Sequence, residues 1–129
     1  MIALDTNILV RYLVQDDPVQ GRIATRLLEG ELSSDNQGFV TNVAVLELDW
    51  VLRTQYGFSP RIVSDTIFGL MSSPHLTFEN SDAIKTALGF QHGYLADNIL
   101  HETGAANACT RTVTFDKKFS RLAGVELLT

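Results

Sequence analysis

One cysteine, three prolines and one tryptophan are all that this 129-residue chain holds of the residues that staple, punctuate or anchor small folds. The lone Cys109 excludes an internal disulfide, and with three scattered histidines it assembles no zinc cluster. No apolar run approaches the ~20 residues that a membrane span needs. The opening MIALDTN reaches an aspartate after four residues and has no basic or long apolar stretch, so no secretory signal is expected and a reducing cytoplasm is the expected location. Positive charge is also in short supply: ten basic against fifteen acidic residues leave a net charge of −5. That balance argues against a protein that coats nucleic acid by bulk charge and against a polybasic membrane binder. It is compatible with an enzyme that recruits cations of its own.

What is present is an ordinary globular composition, 45% hydrophobic and 19% charged. The length suits one domain over residues 1–129. Apolar runs and breakers alternate: short strands at Met1–Leu4, Gly38–Thr41, Leu76–Phe78, Cys109–Phe115 and Val125–Leu128, with helical patterns between them. Asp17-Pro18 and Ser59-Pro60 read as a cap followed by a first-turn proline. Ile23, Ala24, Leu27 and Leu28 form the expected buried stripe of the helix after Asp17. Strong helices are predicted over Asn42–Tyr56 and Leu95–Ala106. Strands separated by helices of this length predict an α/β fold, a mostly parallel sheet of about five strands with helices on both faces.

Four carboxylates carry the chemical information. Asp5 follows the first strand and Asp116 follows the strand ending at Phe115, and ligand sites of open α/β sheets gather beyond the carboxyl ends of strands. Glu47 shares its helix face with Val43, Ala44, Trp50 and Val51, which places a carboxylate in an apolar stripe; Asp49 and Arg53, an i, i+4 ion pair, mark the polar side. Burying such a group calls for a partner or a metal. Asp97 stands in the first turn of its helix, beside Ile99 and Leu100. Each acid has a plainer role open to it: Asp5 and Asp116 as helix caps, Asp97 as a helix-dipole partner, Glu47 as half of a buried ion pair. Together, with no soft ligands nearby, they point to oxygen coordination of Mg²⁺ or Mn²⁺.

At these residues the chain resembles the PIN-domain nucleases, and among them the VapC-type ribonuclease toxins of toxin–antitoxin pairs. The matching motifs are Leu4-Asp5-Thr6-Asn7, Leu46-Glu47-Leu48 leading to Trp50-Val51-Leu52, Ala96-Asp97-Asn98-Ile99-Leu100, and Thr114-Phe115-Asp116-Lys117-Lys118-Phe119. They occur in order along the whole chain. One departure is Tyr94, where the family often has a further acid. The resemblance implies a PIN-like three-layer sandwich and metal-dependent hydrolysis of single-stranded or structured RNA. It makes Asp5 and Asp97 the principal metal ligands, Glu47 the group that orients or deprotonates the attacking water, and Asp116 a completing ligand for one or two ions. Thr6, Asn7 and Thr114 become supporting hydrogen-bonders of carboxylates or phosphate. It further implies a small cognate antitoxin and a homodimer packed through the Glu47 helix, with Val45 and Leu52 on its other faces.

Backbone contacts to RNA are expected from among Arg11, Arg53, Arg111, Lys117, Lys118 and Arg121, with Lys117-Lys118 the foremost pair. Phe39, Trp50, Phe78 and Phe115 read as core, which leaves Tyr12, Tyr56 and Tyr94 for base stacking. Cys109 reads as a small buried strand residue, and His75, His92 and His101 as surface or packing residues. Two other classes fit less well. A receiver-like phosphoacceptor domain wants adjacent acids after the first strand and a lysine after the last, and has no use for Glu47. A non-catalytic oligomerising PIN-like module leaves four intact acids unexplained.

Overall fold

The computed structural model describes residues 1–90 and 93–129, so His92 lies outside the described residues. These residues form two compact units, Met1–Ser81 and Asp82–Thr129. In the first, β1 (Ile2–Ala3), β2 (Gly38–Val40) and β3 (Leu76–Phe78) form a parallel sheet in that order. Helices α1 (Thr6–Val14) and α2 (Pro18–Thr25) lie between β1 and β2 in the chain, and a π-helical turn, Arg26–Glu31, extends α2. Helices α3 (Asn42–Thr54) and α4 (Pro60–Met71) connect β2 to β3. The side chains around the start of β2 crowd so closely that a Cβ on Gly38 would lie 2.7 Å from Leu4 Cδ1, 2.9 Å from Leu32 Cδ1 and 3.0 Å from Leu76 Cδ2.

The second unit takes in α5 (Ser81–Leu88) and α6 (Leu95–Ala106). Its strands β4 (Thr112–Thr114) and β5 (Val125–Leu127) pair in parallel, and a 3₁₀ turn, Phe119–Arg121, lies between them. The α/β class and parallel pairing are as expected, but the five strands divide into sheets of three and two. With strands of two or three residues, each ladder offers few hydrogen bonds, so neither sheet is extensive.

Local chemistry explains the helix starts. The Asp17 carboxylate accepts from the backbone N–H groups of Val19 and Gln20, and Ser59 Oγ accepts from that of Ile62. Thr41 Oγ1 caps α3 by accepting from Ala44 N. α3 packs on α1 and α4, and it buries Ala44, Val45, Leu48, Asp49 and Leu52. Fully burying Leu48 and Leu52 stabilises the unit by about 1.5–3 kcal/mol each.

This face is not the one the sequence suggests. Val43 and Trp50 are exposed, and so is Glu47 between them, while Val45 and Leu52 belong to the core. α3 is apolar on most of its circumference, so packing against α1 and α4, rather than periodicity, selects the buried side. Ile23 is likewise exposed, and α2 buries Gly21 and Ala24 instead. Phe78 is core, but Phe115 is 81% exposed, and Cys109 is exposed outside β4, which begins only at Thr112. No helix among the described residues is long and apolar enough to cross a membrane.

Candidate active site

In the first unit the β1–α1 junction gathers the polar groups. Asp5 occupies the N-cap position of α1 with extended backbone geometry, yet its side chain accepts no capping hydrogen bond. Its Oδ2 instead accepts from Asn7 Nδ2 at 3.2 Å, and the carboxylate is exposed. The next residue, Thr6, is buried and donates its hydroxyl to Glu47 Oε2 at 3.0 Å. A charge-assisted bond of this kind holds Glu47, an otherwise exposed side chain on α3, against the residue that follows Asp5.

Asp49 pairs with Arg53 as its i, i+4 spacing suggests, but it does not lie on a solvated side of α3. It is only 5% exposed, and Arg53 clasps it with two parallel bonds, Nε to Oδ1 at 2.9 Å and Nη2 to Oδ2 at 3.0 Å. Asp49 is therefore the structural carboxylate of α3, and Glu47 is the acid presented to solvent.

In the second unit Asp97 and Asp116 line one pocket of about 150 Å³ together with Tyr94, Asn98, Lys118 and Arg121. Burial pushes the Asp97 carboxyl above its ordinary value, and the negative charge of Asp116 adds to the shift. The shift is upward even though a first-turn position on a helix ordinarily favours the ionised form. Asp116 also does local work: its Oδ1 accepts from the backbone N–H groups of Lys118 at 2.8 Å and Phe119 at 3.2 Å. Thr114 Oγ1 accepts from Asp116 N at 3.0 Å, so Thr114 shapes the turn rather than binding the carboxylate. Lys117 is exposed and does not line this pocket.

The donors suit a hard cation. Among the described residues no three histidine, cysteine or acidic side chains gather closely enough to hold an ion by themselves. The Asp97–Asp116 pair, in repulsion within one pocket, nevertheless suits a divalent cation that keeps several of its waters and takes only one or two carboxylates.

Two features escaped the sequence reading. Glu79 directly follows β3, as Asp5 follows β1, and its Oε1 accepts from Asn42 N at the start of α3 at 2.9 Å. Searching beyond the end of every strand, not just two of them, would have found it. Asn42 Oδ1 is buried there without a hydrogen-bond partner, and no sequence signal marks it. A larger pocket of about 600 Å³ in the first unit, walled by residues such as Tyr12, Glu29, Asp65 and His75, contains none of the four acids.

Comparison with known families matches the PIN domain over residues 2–125. The chain therefore belongs to the PIN-domain family, whose members are generally nucleases and typically bind a divalent metal. No curated protein matches the chain.

Proposed function

We propose that this PIN domain is a Mg²⁺- or Mn²⁺-dependent endoribonuclease of the cytoplasm, acting as the toxin of a toxin–antitoxin pair, with Asp5, Glu47, Asp97 and Asp116 as its working carboxylates. The observation that carries the reading is the Asp97–Asp116 pair: two acids facing one pocket, with Asp97 displaced upward by burial and by its neighbour. Such a pair is an electrostatic liability unless a cation occupies it.

A bound divalent ion would neutralise the phosphate, acidify a water and stabilise the leaving oxygen. The chain's own residues divide the remaining work. Asp97 and the Oδ2 of Asp116 supply oxygen donors, since Oδ1 of Asp116 is engaged by its own turn. Asn7 holds Asp5 by Oδ2 and leaves Oδ1 open as an acceptor. Thr6 holds Glu47 by Oε2, which leaves Oε1 to orient the attacking water and take its proton. The antitoxin would silence such a site by setting an arginine or lysine against Asp97 and Asp116 in place of the metal. The exposed Val43 and Trp50, one turn on either side of Glu47, support a homodimer through α3. Light scattering of the wild type and Trp50→Glu tests that contact.

The deciding experiment incubates single-stranded RNA with the protein and Mg²⁺ or Mn²⁺. Cleavage that chelator and Asp5→Asn both abolish supports the reading. Absence of metal-dependent cleavage, or equal cleavage by the variant, overturns it. The toxin role is tested by growth arrest on expression, relieved by the small protein encoded beside it.

A further inference from the structure

Six basic residues are plausible phosphate contacts on sequence grounds, and the structure sorts them. Arg11 is paired with Asp16, Arg53 with Asp49 and Arg111 with Glu126. Lys117 is exposed and does not line the pocket. Lys118 and Arg121 alone of the six line the cavity that holds Asp97 and Asp116, and neither closes an ion pair there or elsewhere among the described residues. One small pocket thus presents two acids and two uncommitted cations that do not neutralise each other directly.

The walls between them are aromatic and apolar: Tyr94, 61% exposed, with Phe119 and Leu122. Phe119 and Arg121 belong to the same 3₁₀ turn, whose entry is fixed by the Asp116 carboxylate through the backbone of Lys118 and Phe119. The spacing of cations and carboxylates is therefore set by backbone hydrogen bonds, not by flexible side-chain pairing. The cavity, at about 150 Å³, is too small to take a base pair.

We infer that Lys118 and Arg121 form a phosphate subsite for single-stranded RNA, with Tyr94 as the wall on which the adjoining base stacks. Resting on the ribonuclease reading, this subsite holds the phosphate next to the one that is cleaved and sets the preference for unpaired RNA. Such a subsite would let a chain of net charge −5 bind phosphate: attraction is supplied locally by two cations, so affinity depends on them far more than on the overall charge. Base stacking on an aromatic wall tolerates many sequences, while a duplex presents no free base to Tyr94.

The test is binding, read separately from cleavage. Fluorescence anisotropy of a short unstructured RNA is measured with chelator present over a series of KCl concentrations. Wild type, Lys118→Ala/Arg121→Ala, Tyr94→Ala and the conservative Arg121→Lys are compared, with circular dichroism melts to confirm that each is folded. The double variant is expected to bind at least about tenfold more weakly, with the slope of log affinity against log salt reduced by about 1.4, the value for two lost single-strand phosphate contacts. Tyr94→Ala loses about fivefold or more with an unchanged salt slope, and Arg121→Lys retains the wild-type slope. The same RNA annealed to its complement binds more weakly than the single strand.

A double variant with wild-type affinity and slope overturns the inference, as does wild type that fails to bind or that binds duplex equally well. The two readings fail differently. If wild type binds through Lys118 and Arg121 but never cleaves with Mg²⁺ or Mn²⁺, the ribonuclease reading falls, and the two residues stand as a single-strand phosphate contact with no scissile neighbour. If wild type cleaves and the double variant keeps both its affinity and its KM, the subsite falls and the ribonuclease reading stands.

Discussion

Helix α3 carries two acids two residues apart, and the structure assigns them opposite roles that one set of variants can separate. Asp49 is buried and gripped at both oxygens by Arg53, whose side chain is 25% exposed. Removing one partner of a fully buried pair costs about 3–5 kcal/mol, because a charge is left stranded. An exposed pair is worth about 1 kcal/mol at most. The partial exposure of Arg53 lets water reach one end, so Arg53→Met is expected to lose about 2–3 kcal/mol, between these limits. For a chain of this length that corresponds to a fall in Tm of about 6–15 °C. Asp49→Leu/Arg53→Met recovers most of that loss, since an apolar pair of similar volume replaces the ion pair without a stranded charge. Glu47→Gln leaves stability within about 0.5 kcal/mol, as an exposed site should, and abolishes RNA cleavage. Urea unfolding of the singles and the double, closed as a thermodynamic cycle, gives the coupling directly. A loss below about 1 kcal/mol for Arg53→Met would place Asp49 among ordinary surface acids and refute the assignment.

Thr6→Val removes the hydroxyl that holds Glu47 Oε2 and is expected to lower cleavage about 10–100-fold, while Thr6→Ser retains it; wild-type turnover by Thr6→Val counts against Glu47 as an oriented base. Asp97, whose carboxyl is raised by burial and by Asp116, destabilises the fold at neutral pH, and the penalty vanishes below the ordinary carboxylate value. Asp97→Asn should therefore melt higher than wild type at neutral pH without metal, and the difference should disappear in acid. With Mg²⁺ at a hundred times its Kd, wild type should gain about 2.7 kcal/mol and the variant far less; a variant that melts lower at neutral pH, or gains as much from Mg²⁺, contradicts the proposed cation site. Asp16 is held below the ordinary carboxylate value by the hydrogen bond from Tyr56 and by Arg11. Its contribution is present above the ordinary value and lost as pH falls through the lowered one. Tyr56→Phe should flatten that acid limb in urea midpoints measured across the range, and an unchanged limb rules out the linkage.

Much of the fold was legible because its signals are local. The bounds of α6 and β3 agree with the pattern of residues, and the caps Asp17 and Ser59, each followed by proline, bond as their types dictate. α3 shows where locality ends. Its apolar residues surround the helix, so any of several faces could be buried, and the choice made by α1 and α4 reverses the environments of Glu47 and Asp49. Phe115 and Cys109 mislead for a related reason. β-branched residues around them suggest a long buried strand, whereas β4 is three residues in a two-stranded sheet and leaves its flanks in solvent. The basic residues were legible only in part: i, i+4 spacing marks Arg53 as the partner of Asp49, but nothing in the sequence marks Arg121 as facing the acidic pocket.

The aspartates at helix or turn entries sharpen the functional argument, because the same local grammar has three outcomes. Asp17 caps α2 fully, accepting from two backbone N–H groups. Asp116 caps its turn with one oxygen and turns toward the pocket shared with Asp97. Asp5 holds the capping position of α1 and caps nothing. An N-cap aspartate is typically worth about 1 kcal/mol to its helix, a contribution that Asp5 does not make. Asn7 secures the carboxylate in the unused orientation, and the neighbouring Thr6 brings Glu47 to the same junction. Natural sequences depart from local rules mainly where function requires it. The uncapped start of α1 is such a departure, and it supports the proposed role of Asp5 more directly than its position beyond a strand does.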